Sequence, residues 1–165
     1  MAVSSAVAGE REVTTGVTTM TSLADLQAIV GHRFPGGTYR VEPYRNWLTC
    51  DAVLSSLPRD EVAHPMFCYY GALAGMGISL DELFALAGAT AEDGVMFGEA
   101  EIDLRRPLKV GESFEVRGGI TSAERKEGKR TGVFDIVGFE LELVDADGEV
   151  AAVSTNSFVF PRRGS

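Results

Sequence analysis

The chain has 165 residues, a hydrophobic fraction of 45% and a formal net charge of −9. That length is one domain's worth, with enough apolar side chains for a real core. A surface of that sign repels phosphate backbones, so nucleic acid is excluded as a partner class. Only two cysteines occur, Cys50 and Cys68, each beside apolar residues, and they read as buried free thiols of a reducing compartment. His32 and His64 stand far apart with no neighbouring cysteine, so no metal-ligand spacing exists and no cofactor motif is present.

The first 21 residues are small and polar and read as a flexible tail. They lack a basic start followed by an apolar core, so no secretory signal is expected and the cytoplasm is the default location. A single domain is expected over 22–163. Thr21 or Ser22 can cap a short helix from Leu23 to Val30, which Gly31 would end. His32 to Gly37 is a loop, and Thr38 to Pro43 a short strand. Over 44–57, Trp47, Leu48, Val53, Leu54 and Leu57 recur at near-helical spacing, which predicts a helix that Pro58 ends.

The longest apolar stretch runs from His64 to Gly88. Its length is helical rather than strand-like, and being apolar almost all round it should be buried. Pro65 suits a first turn, and Gly88 a C-terminal stop. Gly71, Gly75 and Gly77 are poor helix formers, so three of them imply close approach of another backbone or of a ligand. The spacing predicts one long central helix over 65–87. No membrane span is expected, because glycines and Ser79 interrupt the run and Asp81 and Glu82 close it.

From Gly94 the apolar period changes from 3.6 to 2. Strands are expected at Val95 to Leu104, Ser113 to Ala123, Gly132 to Asp145 and Glu149 to Pro161. Arg125 to Thr131 and Asp145-Ala146-Asp147-Gly148 are the hairpin connections. One short strand, helices, then four antiparallel strands make an α+β layout, with a curved sheet wrapped around the central helix. An exposed sheet edge would suit dimer formation.

Four stretches go further: G-H-R-F-P-G-G-T-Y-R-V-E at 31–42, V-A-H-P-M-F at 62–67, R-R-P-L-K-V-G-E at 105–112 and D-A-D-G-E at 145–149. With them the chain resembles MaoC-like hot-dog proteins. More narrowly, it resembles the N-terminal half of two-domain hydratases and the thioester-binding subunit of (3R)-hydroxyacyl-ACP dehydratases. The resemblance implies a hot-dog fold and an acyl-CoA or acyl-ACP thioester bound near the start of the central helix, across a homodimer or a heterodimer with another hot-dog chain. It implies reversible addition of water to a 2-enoyl thioester. Catalytic members carry D-x-N-P-x-H before the central helix; here 51–62 reads D-A-V-L-S-S-L-P-R-D-E-V, with no Asn-Pro and no His.

His64 is the one histidine near the expected pocket, and histidine suits a general base. Asp51 would be its orienting carboxylate. Otherwise His64 is a loop residue bonded to backbone and Asp51 a helix-face acid. Tyr69 and Tyr70 can offer a phenol to the thioester carbonyl, and Gly71 or its neighbours an amide N–H, or all three are packing residues. Arg105 and Arg106, with Lys109, can meet carrier phosphates or form a solvated turn. The readings left open are a self-sufficient dehydratase or hydratase, a non-catalytic substrate-binding subunit, and an acyl-thioesterase on the same fold.

Overall fold

The computed structural model describes residues 21–162. Its helices are α1 (Leu23–Ala28), α2 (Pro43–Ala52), α3 (Phe67–Gly75) and α4 (Leu80–Leu86), and its strands β1 (Gly37–Arg40), β2 (Met96–Leu104), β3 (Ser113–Gly128), β4 (Gly132–Val144) and β5 (Val150–Pro161). The five strands form one antiparallel sheet in the order β1-β3-β4-β5-β2. Helix α3 lies against this sheet and touches every strand. That is the expected hot-dog arrangement. The expected tail lies outside the described residues except for Thr21, whose carbonyl accepts a hydrogen bond from Arg125.

Sequence alternation explains the sheet. On β4, Val137, Phe139, Leu141 and Leu143 are buried while Glu140 and Glu142 are more open. On β5, Ala152, Phe158 and Phe160 share the inner face with Ser154 and Asn156. Phe158 links the aromatic core, meeting Phe84, Phe97, Phe139 and Phe160. Strand β3 runs on to Gly128, so the expected charged loop of 125–131 is mostly strand and the hairpin is tight.

The long helix expected over 65–87 is instead two helices. The chain breaks at Gly77, where φ is +83°, a conformation that favours glycine. Ser79 then starts α4 with a reciprocal capping box, its hydroxyl accepting from the Glu82 amide while the Glu82 carboxylate accepts from the Ser79 amide. The break lets the chain pass over the Gly36–Gly37 turn, whose Gly36 amide donates to the Met76 carbonyl at 3.1 Å. Gly75 and Gly71 serve close packing. A β-carbon on Gly75 would overlap the Val116 side chain, and one on Gly71 would stand 2.8 Å from Tyr39 Cδ1.

Helix α2 forms with Pro43 in its first turn but ends at Ala52, short of the expected 57, the chain turning at Leu54 where φ is +54°; the apolar residues of 44–57 are not core. Tyr44, Trp47, Leu48, Val53, Leu54 and Leu57 are all exposed, Leu54 at 94%. Only Asn46 and Cys50 of this helix are buried.

Candidate functional site

The segment Ala63–Met66 leads into α3 and carries His64, half-buried. Its backbone N–H donates to Oδ1 of Asn46 at 2.8 Å, and its Nδ1 accepts from the Met66 N–H at 3.2 Å. The ring is thus held with Nε2 as its remaining polar atom. Asp51 is exposed near the end of α2 and makes no hydrogen bond or ion pair with His64 among the described residues. Among the described residues no carboxylate hydrogen-bonds the imidazole.

The first amides of α3 are largely occupied. Phe67 N–H donates to the His64 carbonyl and Cys68 N–H to the Pro65 carbonyl, both at 3.0 Å. Gly71 is the fifth residue of the helix, beyond the four whose N–H groups a helix leaves unpaired. Its missing side chain admits Tyr39 and Leu143.

Tyr69 extends from α3 to strand β2, and Tyr70 stands beside it. Tyr69 is half-buried and meets Phe97 edge-on at 6.2 Å, while Tyr70 is exposed and packs on Tyr69 and Phe67. Burial, and then the neighbouring Tyr70, push the Tyr69 phenol above its ordinary value, so it remains a hydrogen-bond donor at neutral pH. Cys68 is fully buried with its thiol 3.4 Å from the Val153 carbonyl. Burial, with a smaller push from Asp103, raises it to about 11, which removes it as a nucleophile.

The two candidate arginines separate. Arg105, just past the end of β2, is exposed and lies 3.7 Å from Asp103. Arg106 is committed to structure: it bonds Glu112, reaches Asp145 at 2.8 Å and sits over the Phe114 ring. Those two carboxylates raise its pKa. Asp145 in turn accepts from the amides of Asp147 and Glu149 at 3.0 Å. The R-R-P-L-K-V-G-E turn and the D-A-D-G-E hairpin are therefore one construction, clamped by a guanidinium.

Two polar residues escaped the sequence reading. Asn46, 4% exposed, holds the His64 backbone; an amide among the apolar residues of 44–57 was the signal. Asn156 is 2% exposed on β5, its Nδ2 bonding Ser154 at 3.0 Å and its Oδ1 lacking a partner. Ser154 and Asn156 at inward parity in an apolar strand marked them.

A family model described as the FAS1-like dehydratase domain region matches residues 62–154, more than half of the chain. The chain belongs to this family. The match begins just before His64 and ends at Ser154, so it takes in α3, the Arg106 clamp and most of the sheet. No curated protein matches the sequence. Among solved structures, a MaoC-like dehydratase has 19% identity and a TM-score of 0.65 over 82% of this chain and 43% of that one. The ChsH1-ChsH2 complex from Mycobacterium tuberculosis gives 18% identity and a TM-score of 0.63 over 86% and 90%. The HadBC (3R-hydroxyacyl-ACP dehydratase) complex from the same organism gives 20% and 0.56 over 77% and 92%. These likenesses confirm the hot-dog fold, and with the family match they bear out the MaoC-like resemblance drawn from the sequence. No described helix is long and apolar enough to cross a membrane.

Proposed function

We propose that this chain is the thioester-binding member of a hot-dog dehydratase, holding a 3-hydroxyacyl or 2-enoyl thioester while a partner chain moves the protons. The observation that carries this reading is the missing dyad: Asp51 is exposed and unconnected to His64, and His64 spends Nδ1 on the Met66 amide. Water addition needs a base at the water and an acid at C2, so that OH goes to C3 and H to C2. A dyad supplied in trans accounts for a family member without one of its own. Two of the similar folds come from two-chain complexes, which supports a hot-dog partner. Tyr69, Tyr70 and the exposed Arg105 are the groups left to hold the acyl thioester and its carrier, coenzyme A or a carrier protein.

The other reading, a self-sufficient hydratase, rests on one observation. His64 Nε2 has no protein partner among the described residues and stands at the entry to α3. Hydration of crotonyl-coenzyme A separates the two. The chain alone is expected to give no turnover, and activity is expected once a hot-dog chain carrying D-x-N-P-x-H is added. That activity should persist in His64→Ala, with Tyr70→Ala raising KM rather than lowering kcat. Turnover by the chain alone that His64→Ala abolishes overturns the subunit reading. Release of free thiol without hydration would mark a thioesterase.

A further inference from the structure

The sheet has a long open edge. Strand β2, the nine residues Met96–Leu104, pairs with β5 on one side and, among the described residues, with no strand on the other. Its inner face carries Phe97, Ala100, Ile102 and Leu104, since these oppose the inward Phe158, Asn156, Ser154 and Ala152. Its outer face carries Glu101 and Asp103, opposite Thr155 and Val153. A bulge falls between Phe97 and Ala100, and Glu99 joins Gly98 and Glu101 along a groove on the outer face. Glu99, Glu101 and Asp103 are all exposed. The next strands add Glu140 beside Thr155 and Glu142 beside Val153.

Three cations near this face have carboxylates of their own close by. Arg117 pairs with Glu115 at 2.7 Å, Lys126 with Glu124 at 3.2 Å, and Arg105 lies 3.7 Å from Asp103. Glu99 and Glu101 have no ion-pair partner among the described residues.

We propose that the acidic outer row of β2, Glu99, Glu101 and Asp103, selects a second hot-dog chain whose edge strand presents Lys or Arg outward, and disfavours pairing of this chain with itself. The reading rests on the proposed hot-dog partner and names the chemistry by which that partner is chosen. An edge strand with exposed Met96, Phe97 and Leu104 requires a cover. Continuing the sheet keeps outer faces on one side, so outward residues meet outward residues. A two-fold axis at Glu101 would set Glu101 against its own copy and Glu99 against Asp103. An axis at Ile102 sets Glu101 against Asp103, and one at Ala100 sets Glu99 against Glu101. Like charges directly opposite destabilise a strand pair, and a net charge of −9 on each copy adds to the cost. Lysine or arginine at the same positions turns each contact into attraction.

The test compares three samples by sedimentation: the wild-type chain, the charge-reversed Glu99→Lys/Glu101→Lys/Asp103→Lys chain, and their equimolar mixture. The mixture is expected to form a wild-type–variant dimer at least about tenfold tighter than either self-dimer, the gap closing as salt rises. A neutral chain, Glu99→Gln/Glu101→Gln/Asp103→Asn, should self-associate more strongly than wild type and covers the case of a reversed chain that does not fold. A wild-type self-dimer as tight as the mixed one, or equal to that of the neutral chain, overturns the proposal. So does the absence of any dimer in the mixture. Because the readout is mass and neither chain of the mixture carries D-x-N-P-x-H, the dimer tests the charge row alone; the subunit reading fails separately, if adding a chain with that segment to wild type gives no hydration of crotonyl-coenzyme A.

Discussion

Two parts of the molecule treat the same kinds of residue in opposite ways. Along β3, β4 and β5, every strand has neighbours on both sides, and the one fully buried acid among the described residues is matched twice. Asp135, 0% exposed, accepts from Arg125 at 2.7 Å and from Arg162 at 2.6 Å. Arg162 continues to the carbonyls of Ala87 and Gly88, closing the end of α4 against the sheet. Along α2 and β2, apolar side chains face water, and Glu99 and Glu101 have no ion-pair partner among the described residues. The first region is finished by its own residues. The second has the composition of an interior and the exposure of a surface, and this is where the proposed partner belongs.

The largest expected effect comes from breaking the finished region. Asp135→Asn strips two arginines, one of them 6% exposed in its side chain, of their shared charge. It should cost roughly 3–5 kcal/mol in urea unfolding. Burial alone would raise the Asp135 carboxyl, but Arg125 and Arg162 outweigh it and hold it below the ordinary carboxylate range. A depressed native pKa gives stability that is full above the unfolded value, about 3.9, and is lost as pH falls through the native one. Unfolding curves below about pH 4 should therefore be steeper in wild type than in Asp135→Asn.

Next comes Gly75→Ala, which forces a methyl group into Val116 and should cost about 1–3 kcal/mol. Adding Val116→Ala should make the two losses non-additive in a double-mutant cycle. Ser79→Ala removes the cap that starts α4 and should cost about 1 kcal/mol by the same measurement. Leu54→Ser, in the turn just past α2, should change the stability of the isolated chain by less than about 0.5 kcal/mol, because Leu54 is 94% exposed. A large loss there would show that α2 is finished after all, and the contrast between the two regions would fail.

The finished region was also the legible one. Period-two alternation on β4 and the Asp145–Gly148 turn fix strand and register locally. Ser22 caps α1 as expected, accepting from the Asp25 amide. The break at Gly77 was hidden by an apolar run with no periodicity to interrupt, although S-L-D-E at 79–82 held the capping-box pattern. The spacing of Trp47 and Leu48 signalled a helix correctly but its burial wrongly, and it carried the helix too far, to Leu54 and Leu57; period reveals which residues share a side and not what covers it. In the candidate site, His64 and Tyr69 were placed near one another by their closeness in sequence. The commitment of Arg106 to Asp145, 39 residues away, needed the folded chain.

The strand order has a consequence for biosynthesis. β2 leaves the ribosome before β3 and β4, yet among the described residues its only neighbouring strand is β5, made after both. Throughout that interval both of its margins are bare, and Met96 and Phe97 travel with them. A nascent chain halted ahead of residue 150 would carry a ready template for aggregation, so chaperone capture should peak there and fall once the C-terminal strand emerges.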